Sequence, residues 1–243
     1  MPSQFLTSYA EVLKGIYGEP KPEWSVPSTD LAAAEAELNA RLPTALSELY
    51  LLCGNFRRLH KAIDRMREPV ARQSATWRSG EPLERAGSRV VFYEEGEACG
   101  YYSFDAEDPN RDDPQVFVAE DVEGEWFEWG GTLTEFLTMQ LHWQLGNGGA
   151  PVGGLAEIDR ETMKRIRTQF PLVLRQEADR LSHIEVFYRD GQSIVAFEDD
   201  STPGGYFMHC AMSSEADFDE MTEKLQIHEW WDNWFPGDGT HDD

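Results

Sequence analysis

Apolar residues recur at helical spacing through the first third of the chain and at strand spacing from residue 89 onward. In "QFLTSYAEVLKGIYG" Phe5, Leu6, Tyr9, Val12, Leu13 and Ile16 fall on one stripe, which predicts an amphipathic helix. The Pro-rich "EPKPEWSVPSTD" interrupts it. "LAAAEAELNARL" is built of strong helix formers, and Pro43 suits the first turn of a further helix on which Leu46, Leu49 and Tyr50 share a face. Gly54 is expected to end that helix in a left-handed conformation.

Beyond residue 89, "SRVVFYEE", "GYYSF", "QVFVAE" and "GEWFEW" are short runs rich in Val, Phe, Tyr and Trp, the composition of strands. Gly96 and Gly100 mark a hairpin between the first two. Thr132 and Glu135 have capping-box spacing ahead of "LTEFLTMQLHWQL", which predicts a helix there. "GNGGAPVGG" then reads as a linker or extended turn, dividing the chain into residues 1–150 and 151–243. The second part repeats the grammar of the first. Val91-Phe92-Tyr93 is answered by Val186-Phe187-Tyr188, and Thr132, Glu135, Phe136 and Met139 by Ser214, Asp217, Phe218 and Met221. The distance from strand to helix is shorter in the second copy, as it would be if "DAEDPNRDDP" were an insertion in the first. Either the chain carries a degenerate duplication, or two hairpins followed by capped helices look alike.

Charge narrows the function. The chain of 243 residues has 21 basic and 45 acidic residues, a formal net charge of −24. Phosphates would be repelled, which argues against nucleic acid and anionic membranes as partners. No early segment has the charged start and apolar core of a signal peptide, and runs such as "LYLLC" are too short to span a bilayer. Cys53, Cys99 and Cys210 are widely separated and odd in number, as expected of reduced, packing cysteines in the cytoplasm. One stretch inverts the charge: between residues 56 and 88 the arginines, among them Arg57, Arg58, Arg65, Arg67 and Arg85, outnumber the acids. It is either a basic docking strip or a solvated helix and loop that pair with the acidic remainder of the same chain.

"LAAAEAELNARLPTALSELYLLCGN" resembles the signature of the SMI1/KNR4 (SUKH) superfamily, in which a Glu-rich helix leads into Leu-Pro, then Leu and an aromatic residue, then an Asn/Gly helix end. The "RVVFYEEGEACGYYSFD" hairpin, the "QVFV" strand, a Trp-bearing strand and the "FLTMQL" helix follow in the family's order, over roughly residues 28 to 145. The stretch 56–88 and everything after 150 lie outside that pattern. The resemblance implies an α+β fold, with N-terminal helices packed on a mostly antiparallel sheet of short strands, extended here by a C-terminal α+β segment. It implies a binding module without a shared catalytic set. Many bacterial members look like immunity proteins that neutralise a toxin, often a nuclease; fungal relatives act as regulators or scaffolds.

An inhibitor bearing clustered carboxylates can match the basic surface that a nuclease needs, and can associate quickly by electrostatic steering. Between residues 90 and 128 thirteen acids are opposed by Arg111 alone. The candidate contact residues are Glu94, Glu95, Glu97, Asp105, Glu107, Asp108, Asp112, Asp113, Glu120, Asp121, Glu123 and Trp126. Glu125 and Glu128 belong to the same run, and Tyr101, Tyr102 and Trp129 add aromatic character of the kind interface cores favour. Strand alternation would instead place about half of these aromatics in the core.

Reaction chemistry has no comparable signal. No two of the six histidines have metal-ligand spacing, and His209 and Cys210, adjacent on a strand, would point to opposite faces. No phosphate-binding or nucleophile-elbow motif occurs. "DAEDPNRDD" lacks the alternation of an EF-hand loop and reads as a solvated loop. The tail "HEWWDNWF" is either a binding patch or the closure of the C-terminal core. The expectation is therefore a cytoplasmic, non-enzymatic protein that needs no cofactor or metal and binds a protein with a basic surface, a cognate toxin first. A regulatory scaffold and a hydrolase with an unidentified carboxylate pair are the alternatives.

Overall fold

The computed structural model describes residues 3–60, 64–69, 81–96, 100–176, 183–199 and 204–235. It is an α+β protein with two antiparallel sheets, divided into two compact units. The first comprises Met1–Ser8 and Pro20–Leu137, the second Tyr9–Glu19 and Thr138–Asp243. The boundary between the units lies between Leu137 and Thr138, and a piece of the first helix belongs with the C-terminal part.

In the first unit, α2 (Ser28–Leu38), α3 (Thr44–Cys53) and the single-turn α4 (Arg57–His60) precede a meander of β3 (Arg89–Glu94), β4 (Tyr101–Asp105), β5 (Gln115–Ala119) and β6 (Phe127–Thr132). Short strands β1 (Arg65–Met66) and β2 (Glu84–Ala86) both pair with β3. Asn39, with φ 48°, is the left-handed residue that closes α2. Gly54 is not left-handed: its φ is −61°, and α3 ends there in right-handed geometry. Glycine is required for space, because a Cβ would lie 2.7 Å from Val26 Cγ2 and 2.8 Å from Tyr50 Cδ1. That approach lets Val26 N–H donate to the Tyr50 carbonyl and Asn55 Nδ2 donate to the Ser25 carbonyl.

The capping box at the start of α5 (Leu133–Gln144) is present, with Glu135 Oε2 accepting from Thr132 N–H at 2.9 Å. Phe136 on this helix is fully buried and meets Phe92, Tyr93, Tyr102 and Trp129, at centroid distances of 4.7 to 5.4 Å. This aromatic cluster is where the first sheet and its helix close.

The second unit contains β7 (Val152–Ile158), α6 (Arg160–Gln169), β8 (Leu172–Gln176), β9 (Ile184–Arg189), β10 (Gln192–Asp199), β11 (Gly205–Met212), α7 (Glu215–Leu225) and β12 (Asp232–Trp234). Its sheet runs in the order β12-β7-β11-β10-β9-β8. One face carries the core formed by Met208, Cys210 and Met212 with Met163 and Ile166 of α6 and Phe218 and Met221 of α7. On α1 (Gln4–Tyr17), Tyr9, Val12, Leu13 and Ile16 are buried as the stripe predicts. Gly15 lies against the Tyr188 hydroxyl and the Gly191 backbone, while that hydroxyl donates to the Glu11 carbonyl.

One further expectation needs correction. "GNGGAPVGG" is no linker: Leu145–Gly149 continue from α5 through a kinked turn in which Gly148 has φ 91°, Gly146 abuts His209, and Gly153 and Gly154 lie within β7. The two parts also differ in strand count. Three strands separate β3 from α5, but only two separate β9 from α7.

Candidate functional site

The structure sorts the sequence candidates into structural and exposed carboxylates. Glu94 is buried, and Arg67 lies 3.5 Å from it, so it is not a surface group. Arg67 also pairs with Glu84 at 2.9 Å, and Arg85 donates to the Leu38 and Asn39 carbonyls. Pairing within the chain therefore absorbs these members of the basic stretch; residues 61–63 and 70–80 of it lie outside the described residues. Glu95 is half-buried, and Glu97 lies outside the described residues.

The carboxylates of the loop between β4 and β5 are spent on its own backbone and on neighbouring elements. Asp105 accepts from Glu107 N–H and lies 3.8 Å from Arg89. Asp108 accepts from Asn110 N–H and Gln115 N–H. Asp113 holds the Thr134 amide and hydroxyl, and the exposed Asp112 accepts from the Thr44 hydroxyl. Glu107 is exposed but lines an open cleft with Arg41, Arg85 and Arg111, where its charge is opposed. Such turns satisfy backbone donors and consume the carboxylates that charge counting assigns to a partner.

The β5–β6 hairpin is different. Glu120, Asp121, Glu123, Glu125 and Glu128 are all exposed. Asp121 shapes the turn by accepting from Glu123 N–H at 2.9 Å. Among the described residues, Glu123, Glu125 and Glu128 have no cation partner. In their midst Phe127 is 57% exposed, while Trp126 is half-buried. β6 is an edge strand of its sheet, so this surface is open along the strand.

Phe127 is the anchor that sequence reasoning missed. Tyr102 and Trp129 are committed to Phe136 instead, and Tyr101 lies beneath the Arg67 guanidinium at 5.8 Å. Burial holds the Tyr102 hydroxyl above its ordinary pKa, with Glu95 and Asp64 adding to the shift. Simple alternation would place Phe127 and Trp129 on one face. The register breaks between them and the next pairing, however: β6 advances from Glu128 to Thr132 while β5 moves only from Phe117 to Gln115. No pattern in the sequence announces that bulge apart from the adjacent Gly130 and Gly131.

Neither Cys53 nor Cys210 is in a disulfide, both are buried, and burial raises the Cys210 thiol well above its ordinary range. Among the described residues, no three of His, Cys, Asp and Glu are grouped so as to hold a metal ion, and no helix is long and apolar enough to cross a membrane. No family model, no curated protein and no solved structure matches this chain.

Proposed function

We propose that the protein is a non-catalytic binding module that captures a partner with a basic surface through the β5–β6 hairpin, and that this partner is a toxin it neutralises. The observation that carries the reading is the exposed Phe127 set among Glu120, Asp121, Glu123, Glu125 and Glu128. The carboxylates would steer a cationic partner into encounter, and the ring would supply the desolvated contact that slows its release. The net charge of −24 reinforces the steering. The SMI1/KNR4 resemblance adds the immunity role, and a nuclease is the toxin class whose own substrate demands a basic site.

The test is to recover partners with the full chain as bait, then to express the recovered toxin with and without it. Wild-type protein should protect cells, and Phe127→Ala should protect poorly while folding normally. Reversing Glu123, Glu125 and Glu128 to Lys should slow association most at low salt. Recovery of a host housekeeping protein alone would replace the toxin with a scaffold role. Turnover of a substrate, lost on changing one carboxylate, would replace binding with catalysis.

A further inference from the structure

Two adjacent tryptophans in the tail go to different places. Trp230 packs against Phe218 of α7, ring centroids 4.7 Å apart, at the core of the second unit. Trp231 meets Phe207 edge-on at 5.1 Å and remains 58% exposed. Phe207 alternates along β11 with Tyr206 and Met208, which belong to that core, so its ring occupies the opposite face of the sheet. On that face Phe197 of β10 pairs with Phe207 in register, 5.5 Å away, and Trp143 of α5 closes on Phe197 at 6.0 Å. Across the other flank, the registered partner of Phe207 on β7 is Glu157, which is exposed. A row Phe197–Phe207–Glu157 thus crosses three strands, with the Trp231 ring standing beside it.

The chemistry of this row favours one kind of occupant. Aromatic faces attract cations, tryptophan most strongly, and weakly hydrated guanidinium and alkylammonium groups lose least on leaving water. An apolar occupant would strip water from Glu157 and return nothing to its charge. An anion would meet both that carboxylate and the chain's net charge of −24. We propose that this face binds the cationic side chain of a polypeptide partner, an arginine above all, by contact with Trp231 and Phe207 and pairing with Glu157. The site lies in the second unit and shares no residue with the β5–β6 hairpin, so it stands or falls independently of the toxin reading.

The experiment titrates the full chain with two blocked pentapeptides, one carrying a central arginine and the other citrulline, its neutral near-isostere. The readout is the indole N–H signal of Trp231, assigned by its loss in Trp231→Phe. The arginine peptide should shift that signal saturably and bind roughly tenfold more tightly than the citrulline peptide. Followed by calorimetry, which does not need the indole signal, Trp231→Ala should abolish the difference, Glu157→Gln should weaken arginine binding by about threefold, and Leu51→Ala, an exposed position outside both surfaces, should leave both unchanged. Because Trp231 is largely exposed, an unaltered urea midpoint for Trp231→Ala separates lost binding from lost fold. Equal binding of the two peptides would overturn the proposal. So would arginine-induced shifts that spread over the acidic surface and spare Trp231, since general charge attraction would then explain them.

Discussion

The Nδ1 atom of His142 lies 2.7 Å from the Ser193 hydroxyl oxygen, and both side chains are buried. Nε2 of the same ring is buried with no hydrogen-bond partner among the described residues. In the protonated ring both nitrogens carry N–H, and the one at Nε2 faces no acceptor, in surroundings that already disfavour charge. Burial accordingly lowers the pKa from 6.5 to about 3. The unfolded chain takes up this proton near the ordinary value, so it binds more protons than the folded chain throughout the interval. The resulting stability is complete above pH 6.5 and is lost as pH falls toward about 3. His209 is lowered by burial as well and acts in the same direction. Urea unfolding of the wild type should therefore show a decline below pH 6.5. His142 supplies about 1.4 kcal/mol per pH unit of it. His142→Gln should start from a lower stability and decline less steeply; an unchanged slope would contradict this account.

Asp113 and Asp112 look interchangeable in the sequence, yet they do different work. Asp113 accepts the Thr134 amide at 2.8 Å and the Thr134 hydroxyl at 2.9 Å, placing a carboxylate at the start of α5. There it satisfies a donor that the helix leaves open and complements the helix dipole. Asp112 is exposed and touches the Thr44 hydroxyl. Asp113→Ala should cost roughly 1 kcal/mol, by analogy with the loss of a helix cap. Asp112→Ala should stay within about 0.5 kcal/mol, as surface changes usually do. Thermal melts of the two variants, compared under identical conditions, decide the point.

Local patterns were legible where one element decides its own form. The α1 stripe, the Glu135 capping box and the helix opened by Ser214, whose hydroxyl accepts from Asp217 N–H, follow from spacing and cap chemistry alone. The helix α6 escaped because it is strongly charged, although Asp159, Met163 and Ile166 carry its cap and its buried side. What could not be read is what tertiary partners impose. Gly54 needs space and not a left-handed φ, and whether Phe127 or Trp129 reaches solvent is set by the bulge in β6 itself, fixed by its pairing with β5. The acidic run was legible as charge, but which carboxylates Arg67, Arg89 and the β4–β5 backbone consume depends on the fold.

The glycine run that reads as a linker carries a load. A Cβ on Gly154 would lie 2.7 Å from the Trp230 ring, and one on Gly153 would strike the Trp234 ring and the Cys210 carbonyl. Both glycines let tryptophans from the tail approach β7 closely. Gly154→Ala should therefore cost about 1–3 kcal/mol, the usual penalty of overpacking a closed core. A flexible connection would absorb the change without loss. Chemical denaturation followed by tryptophan fluorescence reads both the stability and the displacement of Trp230.

Glu185 is buried on β9 between two exposed arginines, with Arg167 Nε at 2.8 Å and Arg175 Nη2 at 2.5 Å. The ion pair to Glu185 raises the Arg167 pKa above its ordinary value. The asymmetry of burial fixes which deletion hurts. Without Glu185 the two guanidinium groups can turn to water, and an apolar residue of similar size can fill the space. Glu185→Leu should therefore be close to neutral, as replacement of buried ions by hydrophobic residues often is. Removing both arginines is worse, because it leaves a buried carboxylate with no counter-charge. Arg167→Ala with Arg175→Ala should lose roughly 3–5 kcal/mol. Adding Glu185→Leu to that double variant should then restore most of the stability, a rescue that simple additivity forbids. Urea midpoints for the four proteins test it, and a triple variant no more stable than the double would show that the arginines act through packing instead of charge.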